Sequence, residues 1–146
     1  MIKELVAKQE IEINADVSKV WDALINPELI KQYLFGTEAI SDWKIGSPII
    51  FRGVWEGNAY EDKGLILKLE TNKIFQYAYW TSFSGLEDMP ENYVNITYEL
   101  IERDGKTILT ITQDKIETEQ ASNMTSENFK AMLKGIKEIV EKNTND

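Results

Sequence analysis

Residues 10–34, EIEINADVSKVWDALINPELIKQYL, contain the pattern that decides the fold. The first four alternate polar and apolar side chains, as a half-buried β-strand does. Asp16 then provides a helix N-cap, and apolar residues recur at helical spacing through 17–24. Asn26-Pro27 ends that helix and begins a second, because the fixed φ of proline suits a first helical turn. The sequence therefore predicts a strand followed by two short helices.

The middle of the chain consists of β-forming runs separated by turns. Gly57 and the pair Asp104-Gly105 mark hairpin turns, and Gly64 inside a run marks a bulge or a close approach. Residues 82–92, SFSGLEDMPEN, are the longest irregular segment and a candidate mobile lid. Alternation and β-propensity predict strands at 38–43, 49–55, 59–70, 74–81, 93–102 and 107–115.

The chain closes with an amphipathic helix, predicted to run from 125 or 126 to 142. Its apolar residues recur every three or four positions, and lysines and glutamates occupy the other side. The apolar stripe needs a partner, and the concave face of the preceding antiparallel sheet is the large surface available. The prediction is an α+β helix-grip fold, in which a curved antiparallel sheet of about six or seven strands wraps a long C-terminal helix.

Composition narrows the classes of function. A chain of 146 residues that is 42% hydrophobic predicts a single globular domain over 1–146. The net charge of −9 argues against nucleic acid and against docking on anionic membranes. The absence of cysteine and histidine excludes disulfides, thiolate nucleophiles, histidine dyads and Cys/His zinc sites. We expect no metal or cofactor, no signal peptide or membrane span, and a cytoplasmic location by default.

Several short motifs, in this order and spacing, carry a family resemblance. They are VWDAL at 20–24 before NPE, DWKIG at 42–46, GLI at 64–66, LETNKIFQYAYW at 69–80, and the C-terminal helix. The chain resembles the START-like (SRPBCC, Bet v 1-like) helix-grip superfamily, and most closely its AHSA-type branch, named for activators of the heat-shock protein 90 ATPase. Many relatives begin the last helix with Gly-Trp, whereas Asn128-Phe129 stands here and changes the shape of the cavity end that it lines.

The resemblance implies a ligand cavity between the long helix and the sheet. Strict alternation places Arg52 opposite Phe51 and Trp55, so all three cannot point inward without a bulge. An inward Arg52 would anchor a carboxylate or phosphate, whereas an outward one, favoured because buried arginines are rare, would pair with Glu61 or Glu70. The candidate cavity residues are Phe51, Arg52, Trp55, Tyr77, Tyr79, Trp80, Ile96, Tyr98, Ile111, Phe129, Met132, Leu133 and Ile136.

The same residues have simpler interpretations. Apolar side chains at regular spacing normally fill a core, and buried tyrosines usually satisfy backbone groups rather than a ligand. Glu56, Asp62, Glu87 and Asp88 are the acids nearest the predicted openings and are candidate general bases. Nothing in the sequence pairs two of these acids.

Three functions fit these expectations. The leading one is non-enzymatic binding of a small hydrophobic or amphipathic molecule in the cavity. The second is an interaction module that binds a chaperone or another protein. The third, and least favoured, is a cyclase- or hydrolase-type enzyme that uses a tyrosine or a carboxylate. The sequence leaves open the identity of the ligand and the choice between monomer and homodimer.

Overall fold

The computed structural model describes residues 5–144, with side chains described as far as 142. The elements are β1 (Leu5–Ile13), α1 (Val17–Ile25), α2 (Pro27–Tyr33), β2 (Glu38–Ser41), β3 (Pro48–Trp55), β4 (Asn58–Glu70), β5 (Ile74–Trp80), β6 (Val94–Arg103), β7 (Lys106–Ile116) and α3 (Glu119–Thr144). Two 3-10 turns, Ser82–Ser84 and Pro90–Asn92, interrupt the segment between β5 and β6. The single domain over 1–146 stays a prediction, because its ends lie outside the described residues.

The seven strands form one antiparallel sheet in the order β1-β7-β6-β5-β4-β3-β2. Side chains alternate between its two faces: in β4, Asp62, Gly64 and Ile66 are buried, whereas Lys63 and Leu65 are exposed. Helix α3 packs on the inner face, against β1 and β7 and against the two short helices. The predicted helix-grip fold is confirmed. Within residues 5–144, no helix is long and apolar enough to cross a membrane.

The two short helices share one residue between them. The backbone N–H of Asn26 donates to the carbonyl of Asp22 over 2.9 Å and so closes α1. The Asn26 side chain accepts from the N–H of Glu28 over 3.0 Å and so caps α2. The buried hydroxyl of Tyr33 also donates to the carbonyl of Ala23 over 2.9 Å. These bonds hold α1 and α2 together as one unit, which we call the plug (residues 17–33).

Most predicted boundaries lie within one or two residues of the observed ones, and two of the differences have an identifiable physical cause. Helix α3 begins at Glu119 rather than at 125 or 126, because the Thr118 hydroxyl accepts from the N–H of Ala121 over 3.1 Å and caps it. Its first two turns are polar, so the apolar stripe does not reveal them. Strand β2 ends at Ser41 rather than at 43, because Trp43 has a φ of +56° and its N–H donates to the Ser41 hydroxyl over 3.0 Å.

The core changes character along α3. At the filled end, Leu133, Ile136 and Val140 of α3 are buried with plug residues, among them Leu24 and Tyr33. At the open end, Phe129 and Met132 of α3 face a cavity instead. The plug therefore occupies one end of the space between helix and sheet, and the other end is left open.

Candidate functional site: a cavity beneath the long helix

A cavity of about 460 Å³ lies between the inner face of the sheet and the first half of α3. Five consecutive strands, the helix, and the segments after α2 and β5 all contribute to its wall. The lining residues are Leu34, Phe35, Thr37, Phe51, Tyr60, Asp62, Tyr77, Tyr79, Phe83, Ile96, Tyr98, Ile111, Gln113, Asn128, Phe129 and Met132.

Strand register brings these residues together. Tyr77 in β5 pairs with Ile96 in β6, which pairs in turn with Gln113 in β7. Tyr98 and Ile111 form the neighbouring pair two residues along. Residues at such paired positions point to the same face of an antiparallel sheet, so one row of the inner face becomes a continuous wall.

Gly64 makes room for the aromatic part of this wall. It pairs with Tyr79 on β5, and a Cβ at this position would collide with the Ala78 carbonyl oxygen. The same Cβ would lie 2.9 Å from Cγ2 of Ile49 and 3.4 Å from Cδ2 of Tyr77. Of the two roles predicted for Gly64, the structure contains the close approach rather than the bulge. The register shift of β4 comes later, between Ile66 and Lys68.

The aromatic rings form a connected cluster. The ring centroid of Phe51 lies 5.6 Å from that of Tyr77 and 5.9 Å from that of Tyr79, the latter pair edge-on. Tyr77 and Tyr79 make a further edge-on contact at 6.1 Å. Burial, together with neighbouring ionisable groups, raises the pKa of both hydroxyls, and burial raises the pKa of Tyr98 as well. All three tyrosines are therefore neutral at physiological pH and serve as hydrogen-bonding groups.

The polar end of the cavity is built around Asp62, of which only 5% is exposed. One carboxylate oxygen, Oδ2, accepts from the Tyr79 hydroxyl over 2.9 Å. The other, Oδ1, accepts from the Thr81 hydroxyl over 2.9 Å and from the N–H and hydroxyl of Ser82 over 3.0 and 3.3 Å. These donors offset part of the cost of burying a charge, and they tie the turn after β5 to the sheet.

The mouth of the cavity carries exposed aromatic side chains. Phe83 is 63% exposed, and its ring centroid lies 5.4 Å from that of Tyr60. The Tyr60 hydroxyl shares a short hydrogen bond with Thr37, whose hydroxyl donates to the carbonyl of Leu34 over 2.7 Å. Phe35 is 91% exposed and has a φ of +53°, a left-handed conformation that is costly for a residue with a bulky side chain.

Eight of the thirteen candidate residues line this cavity: Phe51, Tyr77, Tyr79, Ile96, Tyr98, Ile111, Phe129 and Met132. Leu133 and Ile136 do not, because they are buried at the filled end. Trp80 points away, and its indole N–H donates to the carbonyl of Leu86 over 3.2 Å. Trp55 is 57% exposed and borders a shallow depression beside the mouth rather than the cavity itself.

Arg52 also lies outside the cavity. Its guanidinium contacts Glu61 on the outer face, with 3.3 Å between Nη2 and Oε2. No bulge interrupts the pairing of β3 with β4, so alternation turns Phe51 inward and Arg52 outward. The inward alternative, in which Arg52 would anchor an anionic ligand group, was wrong.

The four candidate acids differ in burial and in their distance from the cavity. Asp62 is buried at the cavity, whereas Glu56 and Glu87 are exposed. Asp88 accepts from the Tyr93 hydroxyl over 2.5 Å and from the Lys63 ammonium over 3.1 Å. Alternation could have distinguished Asp62, because it shares its face of β4 with Gly64 and Ile66. Among the residues that the structure describes, no three potential metal-ligating side chains come together.

Sequence reasoning missed several lining residues. Tyr60 has the same strand parity as Asp62, and Gln113 has the same parity as Ile111, so alternation could have added both to the candidate site. Thr37, Phe35 and Phe83 lie in connecting segments without periodicity, so no sequence pattern reveals their position. Asn128 was recognised only as a departure from the family pattern.

Comparison with known proteins places this geometry in a family. The family model described as "Activator of Hsp90 ATPase homolog 1-like protein" matches residues 14–141. The solution structure of ChR145 from Cytophaga hutchinsonii is 42% identical, with all of both chains covered and a TM-score of 0.86. No curated protein is significantly similar to the chain.

More distant structures share the fold alone. The Aha1 dimer from Colwellia psychrerythraea is 18% identical, with 94% of this chain and 96% of that chain covered and a TM-score of 0.73. CalU16 from Micromonospora echinospora is 16% identical, with 96% and 86% covered and a TM-score of 0.68. The family match over residues 14–141 and the 42% identical structure agree with the resemblance in the sequence motifs. The chain belongs to the family of Activator of Hsp90 ATPase homolog 1-like proteins, within the START-like superfamily.

Proposed function

We propose that the chain is a non-enzymatic binding protein that takes a small, largely apolar or amphipathic molecule into the cavity beneath α3. The observation that carries the proposal is a cavity of about 460 Å³ whose lining includes eight aromatic side chains, with a buried carboxylate at one end. Ligand pockets are typically about 300–1,000 Å³, mostly apolar, with a few placed polar groups.

The energetics of the wall favour an occupant. Aromatic faces that meet an empty space lose their dispersion contacts on that side, and water beside the rings of Phe51 and Phe129 finds few hydrogen-bonding partners. An apolar molecule restores those contacts and releases the water. The wall is also held in place before binding, since Gly64 and the ring contacts of Phe51, Tyr77 and Tyr79 fix its shape.

A pair of tryptophan substitutions on one strand tests this function. Ile96 lines the cavity and is 5% exposed, whereas Ile101 on the same strand is 56% exposed. Ile96→Trp should fill the cavity and weaken binding of the neutral fluorescent probe N-phenyl-1-naphthylamine about tenfold or more, a difference of about 1.4 kcal/mol. Ile101→Trp should leave binding unchanged. The measurement is a fluorescence titration with each protein, after thermal melts have shown that both variants are folded.

Two results would contradict the proposal. One is the absence of saturable 1:1 binding by the unmodified protein, for this probe and for a panel of lipids and aromatic compounds. The other is equal probe affinity of the Ile96→Trp and Ile101→Trp variants. Native mass spectrometry of gently purified protein would add the identity of any ligand that is carried from the cell.

The exposed rings at the mouth favour a second candidate, binding to a chaperone ATPase of the kind named in the family description. Phe35, Trp55 and Phe83 are each more than half exposed, and aromatic side chains often form the core of protein interfaces. If this second function is correct, purified heat-shock protein 90 should capture the protein in a pull-down, and the Ile96→Trp variant should be captured equally well. Loss of capture with Ile96→Trp, or no capture at all, would count against it.

A further inference from the structure

The cavity contains one charged side chain among its described lining residues, and that side chain is an acid. Only 5% of Asp62 is exposed, and its neighbours in the wall are aromatic, aliphatic or neutral polar groups. All of its hydrogen-bond donors are neutral: Tyr79, Thr81 and Ser82. The carboxylate is therefore well solvated by dipoles but has no counter-charge facing it in the cavity.

The nearest cations along the strands are turned away. Arg52 contacts Glu61 on the outer face at 3.3 Å, and Lys63 contacts Asp88 at 3.1 Å. Strand alternation keeps both on the face opposite Asp62. An anionic ligand group in the cavity would meet the Asp62 charge without a compensating cation, so the electrostatics disfavour acids and favour amines.

Asp62 also has room to accept another donor. A carboxylate offers about four lone-pair directions, two on each oxygen. Among the residues that the structure describes, Oδ1 accepts from three donors, whereas Oδ2 accepts from one, the Tyr79 hydroxyl. The second lone-pair direction of Oδ2 is thus the acceptor position left for an N–H of a ligand.

The rings beside Asp62 suit the same chemistry. Phe51 pairs with Asp62 across β3 and β4, and its ring contacts that of Tyr79 at 5.9 Å. Tyr60 and Phe83 make a second ring pair at 5.4 Å, and both line the cavity with Asp62. Faces of aromatic rings attract organic cations when the cation is within about 6 Å of the ring centroid. The carboxylate and these rings are complementary to one kind of ligand group.

We propose that the cavity ligand is a cationic amphiphile, an amine whose ammonium group binds Asp62 and whose apolar body lies among the aromatic rings. This inference rests on the proposed binding function and adds the class of ligand to it. It is opposite to the ligand class that the less favoured, inward alternative for Arg52 would have selected, a carboxylate or a phosphate.

Three naphthalene probes with the same ring and different end groups test the proposal. They are 2-(2-naphthyl)ethylamine, 2-(2-naphthyl)ethanol and 2-naphthylacetate, measured by calorimetric titration against the purified protein. We expect the dissociation constant of the amine to be at least about tenfold lower than that of the alcohol, and the acetate to bind most weakly. Equal binding of amine and alcohol would overturn this inference and leave the binding function intact. Failure of all three probes to bind would overturn both.

Charge-removing variants locate the preference. In Asp62→Asn, the amide oxygen can still accept from Thr81 and Ser82, and the amine should fall to the affinity of the alcohol, while the alcohol changes less than about threefold. Glu61→Gln removes the same charge one residue away on the outer face and should leave the amine preference unchanged. An amine preference that survives Asp62→Asn, or that Glu61→Gln abolishes equally, would overturn the inference.

A measurement on the unmodified protein tests the inference even if the Asp62→Asn variant does not fold. Intermolecular NMR contacts should place the methylene next to the ammonium beside Tyr79 and Ser82. They should place the naphthalene ring towards Ile96 and Met132, which line the cavity away from Asp62. Contacts that put the ammonium end beside Gln113 instead would overturn the inference.

Discussion

The filled end and the open end of this molecule are built on the same helix and the same sheet, but only the filled end is densely packed. At the filled end, Leu133 and Ile136 of α3 are at most 1% exposed and lie in one cluster with the plug. At the open end, the same helix presents Phe129 and Met132 to a cavity of about 460 Å³. The difference arises from what enters between helix and sheet, since the strands run through both ends.

The comparison separates residues that stabilise the fold from residues that line the proposed ligand site. Complete burial with dense packing predicts large losses of stability on truncation, whereas a side chain beside an existing cavity has fewer contacts to lose. From Phe129 onward the apolar stripe of α3 continues without a change of spacing, so the sequence pattern does not separate the residues that face the cavity from those that are packed. We therefore expect ligand binding where packing is incomplete.

The largest expected effect is a truncation at the filled end. Ile136→Ala should lower the free energy of unfolding by about 2–5 kcal/mol, because it creates a new void in a packed core. Met132→Ala at the open end should cost about 1 kcal/mol or less, since the side chain already borders a cavity. Chemical denaturation of both variants measures the difference. Equal losses at the two sites would remove the distinction between the two ends.

A smaller effect is expected from a methyl group on the floor of the open end. Gly64→Ala should cost about 1–3 kcal/mol, because the new Cβ meets the Ala78 carbonyl and Ile49, which cannot move easily. Gly53→Ala is the matched control: its Cβ would lie 2.5 Å from the hydroxyl oxygen and 2.7 Å from Cζ of Tyr60, a side chain that can turn aside once its hydrogen bond to Thr37 breaks. Denaturation midpoints should fall further for Gly64→Ala; the reverse order would show that the strand backbones yield there.

The smallest effect concerns pH and the segment beside the mouth. Hydrogen bonds from Tyr93 and Lys63 hold the pKa of Asp88 below its usual value. Burial, together with the hydrogen bond to Asp88, raises the pKa of Tyr93 to about 12. A lowered pKa in the folded state stabilises above the unfolded value of about 3.9, and this contribution is lost as the pH falls through the folded pKa. Residues 82–92 should therefore loosen below about pH 4.

Amide hydrogen exchange of residues 82–92 as a function of pH measures this loosening, after correction for intrinsic exchange rates. In Asp88→Asn the acid-dependent step should disappear, because the titrating group is gone. A step of the same size in the variant would assign the effect to another carboxylate.

Periodicity was sufficient to predict most of the fold. Strand alternation, the hairpin turn at Asp104-Gly105 and the amphipathic stripe of α3 each depend on local sequence, and local sequence preferences agree here with the tertiary structure. The boundaries that were wrong depend on single hydrogen bonds. The Thr118 cap starts α3 earlier than its apolar residues do, and the Ser41 turn ends β2 early.

The site was less predictable, for a geometric reason. Alternation separates the two faces of a strand, so it correctly grouped Tyr77 with Tyr79 and opposed Phe51 to Arg52. It carries no information on how far along the sheet the plug extends, and this decides whether an inward residue is packed or lines a cavity. Leu133 and Ile136 were assigned to the cavity for this reason.

The single residue between the two short helices has a wider consequence. Because Asn26 closes α1 and caps α2, and Tyr33 ties α2 back to Ala23, the plug can change length at its far end without altering the angle between its helices. Adding or removing a turn after Tyr33 would change the volume left beneath α3 while every strand kept its register. A change in cavity size then needs no change in the sheet: a few inserted or deleted residues between Tyr33 and β2 would be enough.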